Sequence, residues 1–190
     1  MFDREVDGEV LEFGVSGLLH ESNLVMYDRQ TESVWSQSRG LALAGAYTGT
    51  ELDLVGAQFM SVGELKDAAP GAVILSEETG YERDYRRNPY AGYEQSNQLI
   101  APVTRQDARF PMKDIMLVFR IPDGPAVAVP RDDIPTGQAS TRIAGRDVRM
   151  EHDGIRTSVT VDGLDTPAYL EMWFSFVAQH GENVEVWEIE

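Results

Sequence analysis

The sequence predicts a mainly β protein with two or three helices, in which antiparallel hairpins pack with a C-terminal amphipathic helix. Three observations predict it. Apolar and polar residues alternate in short runs. Turn pairs punctuate those runs at Asp7-Gly8, Asp123-Gly124, Ala144-Gly145 and Asp153-Gly154. Clear helix signals stand in only two places, at Ser61-Val62-Gly63-Glu64 and from Thr166 to Gly181.

Asp7-Gly8 turns a first hairpin into Val10–Val15, where Leu11, Phe13 and Val15 alternate with Glu12 and Gly14. Leu24–Asp28 and Ser33–Gln37 read as the next strands, joined by the polar turn Arg29–Glu32. Gly40–Tyr47 is small and apolar, and Thr50–Val55 alternates again. Ser61 and Glu64 form a capping box for a short helix that stops before Pro70-Gly71, and Ala72–Ser76 reads as a buried strand. Periodicity is lost from Glu77 to Arg109, a length typical of a functional or disordered loop. Asp114–Ile121 and Ala126–Val129 form a strongly apolar hairpin, followed by strands at Arg142–Ala144, Asp147–Glu151 and Ile155–Val161. Thr166 as cap and Pro167 at the first helical position open a helix with Tyr169, Met172, Trp173, Phe176 and Val177 on one face; Gly181 ends it. Val184–Ile189 closes as an edge or pairing strand. One domain over residues 1–190 is expected; two lobes, 1–98 and 112–190, would meet at the loop around Leu99–Pro111.

The 190 residues carry a net charge of -16, and of 16 basic side chains only Lys66 and Lys113 are lysines. Dense carboxylates with few lysines suit concentrated salt, which screens their mutual repulsion. The same field repels a phosphate backbone, so no nucleic-acid partner is expected. No apolar run reaches membrane-span length, and MFDREVDGEV has no apolar signal core, so a cytoplasmic protein without a membrane span is expected. There is no cysteine, which excludes disulfides, thiolate nucleophiles and zinc–thiolate sites.

Gly14 to Gln37 is the least generic stretch. It sets Ser16, Asn23, Tyr27, Asp28, Arg29, Trp35 and Gln37 among apolar residues, more polar variety than a strand connection needs. Two readings stand: a rim that contacts a ligand, or a buried polar network that fixes strand register. Ser16, His20 and Asp28 are the residue types of a nucleophilic triad, but Leu18 stands where a nucleophile elbow needs glycine. His20, His152 and His180 show no metal-ligand spacing, so no metal or cofactor is expected. Tyr81, Tyr85 and Arg86 belong to an aromatic and basic loop, suited to an anionic group, a sugar or the chain's own carboxylates.

The run SGLLHESNLVMYDRQTESVWSQ, the later TGYERDYRRNPYAGY and the final AYLEMWFSFVAQHGENVEVW resemble the family called domain of unknown function 3179. The resemblance implies no established activity. Members often carry an export signal or lipid anchor and a Cys-Pro-Leu stretch before the SGLL region, and relatives similar to this chain occur in salt-loving archaea. The resemblance thus implies an extracytoplasmic location if such an export segment is missing here. It also implies a repeated unit, with Phe119–Pro130 as its second copy; an absent first copy would leave a strand edge open for pairing into a homo-oligomer.

The expected function is a non-catalytic binding or interaction module for a small ligand or a protein partner. Its candidate residues are Ser16, Asn23, Tyr27, Asp28, Arg29, Trp35, Gln37, Tyr81, Tyr85 and Arg86. The alternative is a hydrolytic or metal-assisted enzyme using Asp28 and His20.

Overall fold

A computed structural model describes residues 1–58 and 60–189. The chain is mostly antiparallel β, with two α-helices among the described residues. It divides into two compact units, Met1–Gln58 with Leu99–Glu190, and Phe59–Gln98.

In the larger unit, β1 (Glu5–Val6) and β2 (Glu9–Val10) form the hairpin turned by Asp7 and Gly8, both at positive φ. A four-stranded meander follows: β3 (Phe13–His20), β4 (Asn23–Asp28), β5 (Val34–Ser36) and β6 (Leu41–Ala44). β3 is an edge strand, and its register with β4 shifts between Val15 and Leu19. Gly14 pairs with Tyr27, whose ring lies where a side chain at 14 would stand; a Cβ there would be 2.6 Å from it. Thr50–Val55 makes only isolated bridges, Leu41 with Glu51 and Phe2 with Leu54.

Two further sheets follow in the chain. The next hairpin is β7 (Ile115–Arg120) and β8 (Ala126–Pro130). A second meander runs β9 (Gly137–Ile143), β10 (Arg146–His152), β11 (Thr157–Val161) and β12 (Leu164–Thr166). Then come β13 (Ala168–Met172), helix α2 (Trp173–His180) and β14 (Val184–Val186). The strand order β13-β7-β8-β14 makes the central sheet, with β14 parallel to β8.

That sheet is buried on both faces, which is why its sequence is nearly all apolar instead of alternating. Leu117, Phe119, Val127 and Val129 pack against Val148, Met150, Val159 and Val161 of the second meander. Met116, Val118, Ala126 and Ala128 pack against Trp173, Phe176 and Val177 of α2. A third core gathers Val6, Leu11, Trp35, Ala42 and Leu52 under the first meander.

The expected helix from Thr166 begins seven residues later, at Trp173. Ala168–Met172 instead pairs with β7 over five residues, so the ladder that β7 offers outweighs the capping signal of Thr166-Pro167.

In the smaller unit, helix α1 (Val62–Ala68) carries the expected capping box: Glu64 N–H donates to Ser61 Oγ at 3.2 Å and Ser61 N–H to Glu64 Oε2 at 2.6 Å. The buried strand expected at Ala72–Ser76 is not formed. Val73 and Leu75 are 95% and 98% exposed, and among the described residues no strand pairs with the segment. An apolar run cannot hold a strand whose backbone lacks a ladder. From Glu77 to Gln98 the chain is turns and bends, as the lost periodicity predicts.

Candidate functional site

The polar residues of the first meander divide into two groups. The first closes on Asp28. At the end of β4 the chain turns through Arg29–Glu32, and the Asp28 carboxylate folds over that turn. It accepts Thr31 N–H at 2.6 Å, the Thr31 hydroxyl at 2.8 Å and Trp35 Nε1–H at 2.9 Å. The Thr31 hydroxyl also meets Ser33 Oγ at 2.7 Å. Gly45, at φ +106, lets the chain cross Ser33 so closely that a Cβ would lie 2.6 Å from its Cα. Asp28, Ser33 and Trp35 are fully buried, and Phe13 meets the Trp35 ring edge-on at 5.5 Å. Burial pushes the Asp28 carboxyl up; the hydrogen bonds from Trp35 and Thr31 outweigh it and hold the group below its ordinary range. This arrangement fixes register and turn, and no solvent path reaches Asp28 or Trp35.

The other sequence candidates lie apart. Tyr27 is half-buried, and Arg29 is exposed with its guanidinium 5.7 Å from the Tyr27 ring. Ser16 Oγ donates to Val25 O across the bulge of β3. His20 is exposed, so Ser16, His20 and Asp28 do not converge. In the smaller unit, Tyr81, Tyr85 and Arg86 are exposed; Tyr85 meets the Thr79 hydroxyl, and Asp84 accepts the Arg86 backbone N–H.

The second group runs along the seam between the first meander and the β13–α2 corner. Asn23 Nδ2 donates to Ser175 Oγ at 2.8 Å, and Ser36 Oγ to Gln179 Oε1 at 3.3 Å. Ser38 and Ser175 both donate to Glu171 Oε1. Tyr169 and Glu171, two apart on β13, share the face that looks toward α2. His180 Nε2 lies 3.3 Å from the Tyr169 hydroxyl and 3.7 Å from Glu171 Oε2. Glu171 is 8% exposed, yet its Oε2 is buried with no hydrogen-bond partner among the described residues. A buried polar oxygen left so is costly unless something else meets it.

A recess of about 310 Å³ opens on this network, lined by Asn23, Gln37, Ser38, Tyr169, Glu171 and Ser175 among others. A second recess, of about 200 Å³, adjoins it and shares Phe2, Ser38, Leu54 and Tyr169. There Glu51 pairs with both Arg39, at 2.8 Å, and Arg120, at 2.9 Å. Burial raises the Glu51 carboxyl, and the two arginines outweigh that and lower it. A larger groove, about 720 Å³, lies over the outer face of β9–β11; besides Asp165 its charged side chains are paired, Arg149 with Glu151 at 2.7 Å and Arg142 with Asp147 at 3.6 Å. Among the described residues no three of His, Asp and Glu gather in a metal-binding cluster.

Of the ten sequence candidates, the structure brings Asn23 and Gln37 to the seam recess. Sequence reasoning missed Ser38, Tyr169, Glu171, Ser175 and His180. The one available signal was Glu171 itself, a carboxylate inside the otherwise apolar and aromatic run from Ala168 to Phe174.

Fold and site together define a mainly β protein in which a short C-terminal helix is locked to an antiparallel meander by a buried polar network. A family model described as Protein of unknown function (DUF3179) matches residues 1–163, and the chain belongs to that family. The match includes Asn23, Gln37, Ser38, Arg39, Glu51 and Arg120, and ends before Tyr169, Glu171 and α2. No curated protein and no solved structure matches the chain. No helix among the described residues is long and apolar enough to cross a membrane.

Proposed function

We propose that the chain is a non-catalytic binding module whose ligand enters the seam recess and donates a hydrogen bond to Glu171. The single observation that carries this reading is a nearly buried carboxylate at the wall of a recess whose Oε2 accepts no hydrogen bond, with His180 Nε2 3.7 Å away. The amides of Asn23 and Gln37 and the hydroxyls of Ser38 and Ser175 line the same space and would orient the ligand. An alkylammonium group matches the carboxylate in charge and in donors. Asp28 and Trp35 serve the site indirectly, by fixing the strands that present Asn23 and Gln37.

The test is a titration of the intact chain with n-pentylammonium, followed through the side-chain NH₂ resonances of Asn23 and Gln37. Saturable shifts that vanish in Glu171→Gln support the reading. Shifts that are absent, or identical in the variant, contradict it.

The module works in concentrated salt on this reading, supported by the net charge of -16 and the two lysines. Thermal unfolding should then move to higher temperature as KCl rises from about 0.1 M to about 1 M, where the screening length falls from roughly 10 Å to 3 Å. A midpoint that falls over that range would sink the idea.

A further inference from the structure

We infer that the seam is closed by a proton: uptake of one proton by His180 turns its Nε2 into a donor toward Glu171 Oε2 and ties the end of α2 to β13. The hold of α2 on the sheet is then tighter in acid than in alkali. This goes beyond the binding reading and stands on the seam geometry alone; where a ligand does enter the recess, proton and ligand draw on the same carboxylate.

His180 is the last residue of α2, and its ring lies 5.1 Å from that of Phe176, one turn earlier. The C-terminal end of a helix favours a positive charge. The His180 side chain is 5% exposed and that of Glu171 6%. Nε2 stands between two oxygens, 3.3 Å from the Tyr169 hydroxyl and 3.7 Å from Glu171 Oε2. Burial pushes the Tyr169 hydroxyl up and Glu171 pushes it further, so Tyr169 keeps its proton at neutral pH. A neutral imidazole with a bare Nε2 accepts that O–H, and Oε2 is left without a donor, as the structure has it. An imidazolium has no bare nitrogen, and both of its N–H groups donate. Of the two oxygens beside Nε2, Glu171 Oε2 is the one that lacks a partner. Closing the gap to an ordinary hydrogen bond draws the groups together by roughly 1 Å. Glu171 Oε1 already accepts from Ser38, between β5 and β6, and from Ser175 of α2. The tie at Oε2 therefore tightens a carboxylate that bridges helix, strand and first meander.

Tyr169 and Glu171 are the titratable groups that β13 sets against the imidazole. Beneath α2 the central sheet presents apolar Met116, Val118, Ala126 and Ala128. The first meander presents neutral Asn23, Ser36 and Ser38, and exposed His20 offers α2 its carbonyl, to Gln179. Arg39 and Arg120 act on Tyr169, and Glu182, two residues past His180, is exposed and pairs with Arg105 at 3.2 Å. Histidine is the residue type in this cluster that changes charge near neutral pH.

The experiment follows urea unfolding of the intact chain, Glu171→Gln, His180→Gln and the double variant at about pH 5.5 and about pH 8.5, either side of the ordinary histidine range. The coupling between the two positions should be at least about threefold in the unfolding constant at the lower pH and near onefold at the higher. A proton that favours the folded state adds stability in acid, and the gain is lost as pH rises. Equal coupling at both pH values, or larger coupling at the higher, overturns the inference. The unaltered chain gives a second readout that holds even where a variant fails to fold. There the Glu171 backbone N–H and the Gln179 side-chain amide should shift with the same midpoint as the His180 imidazole. A His180 titration that leaves both resonances in place overturns the inference as well.

Discussion

Asp28 and Glu171 are both buried carboxylates of the same unit, and they differ in how their oxygens are met. Asp28 receives hydrogen bonds on both oxygens, from Thr31 and from Trp35. Glu171 receives both of its hydroxyl donors on Oε1 and none on Oε2. The Asp28 network is short in sequence, Asp28 to Trp35, and seals one turn. The Glu171 network spans the chain, from Asn23 and Ser38 to Ser175 and His180, and borders a recess. A satisfied carboxylate adds stability and specifies one structure; an unsatisfied one at an opening costs stability and keeps a group in readiness for a ligand.

The largest expected effect lies on the closed side. Asp28→Ala leaves the indole N–H of Trp35 buried without an acceptor and removes the acceptor of Thr31 N–H, a loss of about 3 kcal/mol, measured by equilibrium urea unfolding. A loss under about 1 kcal/mol would mean that water takes over both donors and the network is not sealed. Next is Asn23→Ala, which removes the donor to Ser175 Oγ and to Glu21 O. It should cost about 1 kcal/mol and should weaken ligand binding more than it weakens folding; unaltered binding would remove Asn23 from the site.

The smallest effect is in the acid limb. The folded Asp28 carboxyl sits below its ordinary value of 3.8, so the carboxylate stabilises the fold above that value. This contribution is lost as pH falls through the depressed folded value. Asp107, Asp153 and Asp162 are lowered too, so the wild-type slope is shared. The difference between wild type and Asp28→Asn isolates one group: it should be largest above about pH 4 and shrink below it. A difference that grows on acidification would reverse the sign assigned to Asp28.

The outer meanders were legible from period two, the central hairpin from its continuous apolar run, and the turns from Asp-Gly and Ala-Gly, with Asp7, Asp123, Ala144 and Asp162 at positive φ as such turns require. Ala72–Ser76 and Ala168–Met172 were misread for opposite reasons. The first is a continuous apolar run but has no paired neighbour; the second follows a helix cap but lies beside β7. Both outcomes depend on a neighbour distant in sequence. The same holds for the site. Asp28, Thr31 and Trp35 are close enough in sequence to be seen together, and the register reading of that stretch anticipated what they do. Glu171 meets Ser38 across 133 positions, and no spacing announces such a pair.

The most direct measurement compares two isosteric changes, Asp28→Asn and Glu171→Gln, in the same urea unfolding experiment. In the first, an amide N–H₂ must face donors that both carboxylate oxygens now accept; in the second, it replaces an oxygen that accepts nothing. Asp28→Asn should lose about 2 kcal/mol or more, and Glu171→Gln less than about 1 kcal/mol, while the second alone abolishes binding of n-pentylammonium. Equal losses in the two variants would show that Glu171 is part of the glue of the seam, and the distinction between a closed network and an open one would be wrong.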